Sequence, residues 1–172
     1  MFELWQSSSA TVKIMRYLAI DYGEKRTGLA ICDANETIVT PLSVIQGQKG
    51  LLNKISDVVK REKVEAIVVG LPLNMDDSEG PQAQITLKFA EQLKKNIDSQ
   101  LRRSGLPARS VSAKAGCEGR IPIHFQDERL SSFDAEGKLA PANLTRGKKK
   151  KRLDAVAAAA ILEAFLEAKE AQ

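Results

Sequence analysis

The sequence predicts a mixed α/β layer protein, on three observations. Three short β-rich runs follow one another between residues 16 and 45, and two further apolar runs, 64–70 and 121–126, each follow a segment of helical periodicity. The chain then closes in an alanine-rich helical stretch. The order β-β-β-α-β-α-β-α-α is that of helices layered on a sheet.

Residues 1–14 have weak periodicity and a Ser-rich patch, and are read as an N-terminal extension to a domain spanning 15–172. Arg16 to Asp21 is a short apolar run ending in an acid. After a turn at Gly23 come Thr27 to Cys32 and Thr37 to Ile45, so the three runs form an antiparallel meander. Leu51, Leu52, Ile55, Val58 and Val59 recur at helical spacing and predict a helix over Gly50–Lys63. Val64 to Gly70 is a buried strand. Ile85, Leu87, Phe89, Ala90, Leu93 and Ile97 predict a longer helix from Pro81 to Leu101. Residues 99–120, rich in Ser, Arg, Lys, Gly and Ala, read as a flexible insertion. Ile121 to Gln126 is a strand, with Pro122 near its start where proline is tolerated. A short helix from Ser131 to Leu139 and a final one from Leu153 to Ala168 complete the chain.

A hydrophobic fraction of 43% beside 28% charged residues suits a globular domain and argues against global disorder. No apolar run approaches the ~20 residues that span a bilayer, and the first residues, with acidic Glu3, do not resemble a secretory signal. The expected setting is cytoplasmic, with no membrane partner. Cys32 and Cys117 form no ligand cluster and read as ordinary reduced cysteines. His124 is the sole histidine, which removes most Ser-His-Asp, Cys-His and poly-His metal schemes. It alternates with Ile123 and Phe125 in a strand and reads as structural. Acid–base chemistry therefore falls to carboxylates or lysines. Arg146 to Arg152 holds six basic residues in seven, and outside it the chain carries 20 basic and 22 acidic residues. Such concentration marks a local anion-binding surface.

In open α/β sheets reactive groups gather at the carboxyl ends of the parallel strands. Asp21 ends the first strand, and Asp127-Glu128-Arg129 ends the strand from Ile121. Asp154 shares a helical face with Ala158, Ile161 and Phe165, so it begins the packed face of the last helix. Each acid has an ordinary reading as well: an Asx-turn with Gly23, a pair with Arg129, a helix start. Three carboxylates at one sheet edge would repel one another unless divalent cations neutralised them, and oxygen donors suit Mg²⁺ or Mn²⁺.

Four segments carry a resemblance: Asp21-Tyr22-Gly23-Glu24-Lys25-Arg26-Thr27-Gly28-Leu29-Ala30; Val68-Val69-Gly70-Leu71-Pro72-Leu73-Asn74-Met75; Asp127-Glu128-Arg129-Leu130-Ser131-Ser132; and Asp154 to Leu162. Together, in this order and over Met15 to about Leu166, they resemble the YqgF/RuvX family of Holliday-junction-resolvase-like nucleases. The resemblance implies a ribonuclease-H-like fold with a five-stranded mixed sheet flanked by helices. It implies cleavage of structured nucleic acid, with the 5′ end of the small-subunit ribosomal RNA precursor and four-way DNA junctions as the two substrates. It places Asp21, Glu128 and Asp154 on the family's acidic positions. The chain departs from the family pattern at Asp77, where glycine is common, and in the length of 99–120.

For phosphodiester hydrolysis, one or two Mg²⁺ or Mn²⁺ ions would be held by these acids, with Asp21 bridging and Glu128 and Asp154 each completing one shell. Lys25 and Arg26 after Asp21, Arg129, Asn74, and the run Lys148, Lys149, Lys150, Lys151 and Arg152 are the expected contacts to structured RNA or branched DNA. The sequence leaves room for a homodimer. The alternative is a nucleic-acid-binding factor of the same fold that does not cut. A phosphotransferase, which shares an Asp-x-Gly hairpin, needs a second domain that this chain has no room for.

Overall fold

The computed structural model describes residues 15–75, 78–103, 121–128 and 146–171, with side chains from 153 onward in the last stretch. The extension 1–14, Asp77, Cys117, Arg129, the helix expected over 131–139 and most of the expected insertion lie outside the described residues.

Five strands form one mixed sheet: β1 (Tyr17–Tyr22), β2 (Arg26–Cys32), β3 (Val39–Gln46), β4 (Ala66–Leu71) and β5 (Ile123–Asp127), in the order β3-β2-β1-β4-β5. β1, β2 and β3 are the expected antiparallel meander, while β4 runs parallel to both β1 and β5. This is the five-stranded mixed sheet that the resemblance implies. Pro41 sits in the edge strand β3, where its missing N–H leaves no central ladder bond unmade.

Strand alternation divides the core in two. On one face Leu18, Ile20, Leu29, Ile67 and Val69 pack against α1 (Leu51–Arg61) and α2 (Pro81–Arg103) through Leu51, Ile55, Val59, Phe89 and Leu93. On the other, Tyr17, Ala19, Ala30, Ala66 and Val68 meet the last helix, α3 (Arg146–Glu170), through Ala158, Ala159, Ile161 and Leu162. Small side chains on both partners let α3 lie close to the sheet, which positions its N-terminal half over β2. Among the described residues no helix is long and apolar enough to cross a membrane.

Two boundaries differ from the sequence reading. The insertion expected from residue 99 does not begin there, because α2 continues to Arg103. Its last turns are tied to α1 by polar side chains: Ser56 donates to Asn96, and Gln100 donates to Asn53 and accepts from Lys60. Arg102 and Arg103 also face the negative helix end favourably. The basic run was expected to precede the last helix, yet α3 begins at Arg146 and the run forms its first turns. Lys and Arg are good helix formers, and only Gly147 dilutes them.

Candidate active site

Asp21 is the next-to-last residue of β1 and points to the α3 face, in step with Tyr17 and Ala19. Its partner across β2 is Gly28, and the β1–β4 register, continued by one residue, sets Gly70 on its other side. Both glycines leave room that the site uses. A Cβ on Gly28 would lie 1.9 Å from the backbone oxygen of Asp154, and a Cβ on Gly70 would lie 2.4 Å from Oε1 of Glu128. The missing side chains thus seat Asp154 on one flank of Asp21 and Glu128 on the other. Isolated glycines in strand-like runs were the available signal for such close approach, and the sequence reading passed over them.

Electrostatics reports the same convergence. Asp21 is pushed up from the ordinary 3.8 to about 6, by burial first and the Asp154 carboxylate second. Glu128 is pushed from 4.5 to about 7, by burial and then by Asp21 and Asp127. Asp21 is therefore the middle member, coupled to an acid on each side.

Arg26 does not stand in the turn as expected. It opens β2, and its Nε lies 2.9 Å from Oδ2 of Asp154. That approach is poorly aligned, so this buried oxygen has no hydrogen-bond partner. Lys25 is exposed at the hairpin tip. The Gly47 amide donates to its carbonyl, and Gln48 Nε2 donates to the carbonyls of Gly23 (3.1 Å) and Glu24 (2.9 Å), which fixes the turn beside Asp21. Asn74 organises its own loop after β4: its amide nitrogen donates to Ser78 Oγ at 2.9 Å, and its backbone N–H to the Ser78 carbonyl. It remains exposed at the carboxyl edge of the sheet. The backbone of Lys148, Lys149, Lys150, Lys151 and Arg152 lies in α3, in the turns leading to Asp154.

His124 packs near Phe165 and Tyr17, with ring centroids 5.3 and 6.3 Å away. Phe165 is eleven residues beyond Asp154, about 16 Å along the helix. Burial and Lys169 lower the pKa of His124, in keeping with a structural residue.

Do these residues suit a divalent ion? Among the described residues, no three acidic, imidazole or thiol groups are gathered tightly enough to grip one ion as they stand, and Asp154 faces Arg26 instead. The donor set nonetheless fits: oxygen only, mutually repelling, with one buried carboxylate oxygen lacking a hydrogen bond. Such a set gains by taking up a cation.

The raised acids make metal-free stability depend on pH. A folded pKa above the unfolded value gives a contribution fully present below the unfolded pKa and lost as pH rises through the folded one. For Asp21 that window runs from about 4 to about 6, and for Glu128 to about 7. In EDTA, Asp21→Asn is expected to melt with the parent at pH 4 and above it at pH 7.5. The gain is on the order of 2 kcal/mol, or roughly 4–8 °C. Scanning calorimetry across pH measures this, and a constant difference would show that Asp21 is not strained by its neighbours.

Comparison with known proteins agrees with the sequence resemblance. The family model described as RuvX, Holliday junction resolvase, matches residues 15–168. A curated relative from Caldanaerobacter subterraneus subsp. tengcongensis, named "Putative pre-16S rRNA nuclease", is 35% identical over 159 residues, covering 91% of this chain and 99% of the relative. One of the same name from Roseobacter denitrificans is 36% identical over 161 residues, covering 92% and 86%. Among solved structures, Thermus thermophilus RuvC in complex with a Holliday junction substrate matches with a TM-score of 0.49 and 14% identity, covering 91% of this chain and 96% of that one.

Proposed function

This chain belongs to the RuvX family, and from that premise we propose that it is a metal-dependent endonuclease acting on structured nucleic acid in the cytoplasm. The 5′ end of the small-subunit ribosomal RNA precursor is the first substrate to test and a four-way DNA junction the second. The observation that carries the reading is the flanking of Asp21 by Asp154 and Glu128, each seated over a glycine.

Asp21, Glu128 and Asp154 would hold Mg²⁺ or Mn²⁺, which when bound activates a water and stabilises the leaving oxygen. The chain's own residues do the rest. Gly28 and Gly70 fix how near the outer acids come to Asp21. Arg26 pairs through Nε with Asp154 from the β2 side, and its other guanidinium nitrogens would contact a phosphate at the same edge. Lys25 offers a cation at a turn that Gln48 holds rigid. The basic turns of α3 supply charge along the approach to Asp154, despite the cost of cations at a helix N-terminus.

The test is cleavage of precursor RNA, a four-way junction and linear duplex, with Mg²⁺, Mn²⁺ or EDTA. Ion-dependent cutting of a structured substrate over the linear control supports the proposal. Tight binding without cutting under any ion would leave a non-catalytic binding factor. In the same assay, replacing Lys148 to Lys151 by Ser is expected to weaken binding at 0.1 M salt by tenfold or more and to flatten the salt dependence. Cleavage at saturating protein should stay near the parent's. An unchanged salt slope would remove the run from the interface.

A further inference from the structure

We propose that the groove walled by Tyr22 and Phe89, on the opposite face of the sheet from the acids, binds one unpaired nucleotide of the strand being cut, with its base stacked on Tyr22. The proposal rests on the nuclease reading and deepens it by naming a substrate subsite.

The groove is a cavity of about 420 Å³ between the start of α1 and α2, within the size range of small-ligand sites. Alternation along β1 sends Asp21 to the α3 face and Tyr22 to the α1–α2 face, so two successive residues serve both sides of one sheet edge. A strand crossing that edge reaches both. The Tyr22 ring is stacked on Phe89, with centroids 4.1 Å apart and planes 17° apart. Phe89 is buried, while Tyr22 is only partly so, which makes Tyr22 the outer member of an anchored aromatic platform.

The remaining lining matches a nucleotide better than an apolar partner. Gln92 presents an amide that can both donate to and accept from a base edge, Gln48, whose Nε2 is committed to the turn, offers its Oε1 as an acceptor, and Lys88 is an exposed cation suited to the attached phosphate. Ile85, 38% exposed, adds an apolar wall. An aromatic platform, two amides and one cation are the groups that proteins use to hold unstacked bases. Gln48 also joins the groove to the catalytic edge, because the same side chain braces the turn next to Asp21.

The test uses the full chain in EDTA, so that binding is read without cleavage. A short single-stranded DNA of mixed sequence and a blunt duplex are titrated while NMR follows the ring signals of Tyr22 and Phe89 and the side-chain amides of Gln48 and Gln92. Shifts at these four with the single strand, and not with the duplex, are the expected result. Tyr22→Leu should weaken single-strand binding by roughly 5- to 100-fold with no change in salt slope, whereas Tyr22→Phe keeps the affinity. Lys88→Ala, on an exposed helix face, should lower the salt slope by about one charge and so tests the groove even if Tyr22→Leu does not fold. Binding without groove shifts overturns the proposal and leaves the nuclease reading standing. Groove shifts in a protein that never cuts overturn the nuclease reading and leave the subsite. Concentration-dependent shifts at the same residues without DNA would place a second copy of the chain there, and also overturn it.

Discussion

Replacing Asp21 by Asn is expected to lower cleavage at least a hundredfold while leaving the fold and nucleic-acid binding in place. The side chain keeps its size, so the close packing between Gly28 and Gly70 is undisturbed. What is lost is the negative charge on the middle member of three acids, the one coupled to both neighbours. An amide oxygen is a weak ligand for a hard divalent ion, so the activated water should go with the charge. A hundredfold loss corresponds to about 2.7 kcal/mol of transition-state stabilisation. Single-turnover cleavage under Mg²⁺ and Mn²⁺, beside circular dichroism and an affinity measurement, separates the effects. A variant that folds, binds and keeps more than about a tenth of the parent rate would remove Asp21 from the centre of the site.

The layer architecture was legible because its signals are local. Period-2 and period-3.6 patterns set the five strands and the described helices to within a few residues, except where α3 starts seven residues earlier than expected. That error had a physical source: a basic run reads as a solvated segment, but lysine and arginine propagate a helix once the Asp154 to Leu166 face is docked on the sheet. Asp21, Glu128 and Asp154 were legible as strand-end and packed-face acids. Arg26's pairing with Asp154 was not, since it depends on how closely α3 approaches β2, a distance that no periodicity encodes. The Tyr22–Phe89 groove was hidden for the same reason. Both residues are accounted for by core periodicity, and only the packing of α2 against β1 shows that one ring is left partly open.

That close approach is itself open to test through Gly28→Ala, where the largest loss of stability is expected. The added Cβ would stand 1.9 Å from the Asp154 carbonyl oxygen and 2.6 Å from its carbonyl carbon. These are backbone atoms within a helix, so no side chain can rotate out of the way. Relief requires α3 to lift from β2. Lifting it opens the contacts that Ala158, Ala159 and Leu162 make with Ala19 and Ala30, which have no longer side chains to bridge a gap. The cost should be about 3 kcal/mol or more, a fall of roughly 6–12 °C in Tm. Asp154 moves with the helix, so cleavage should fall even well below the melting temperature. Gly47→Ala is the control: its φ of +71° is unfavourable to a side chain, but nothing lies within 4 Å of the new Cβ. It should cost only about 1 kcal/mol and leave cleavage intact. Thermal melts and cleavage rates of the two variants at one temperature decide the matter. If Gly28→Ala melts no lower than Gly47→Ala, α3 does not press on β2 at Asp154, and the seating of that acid beside Asp21 fails with it.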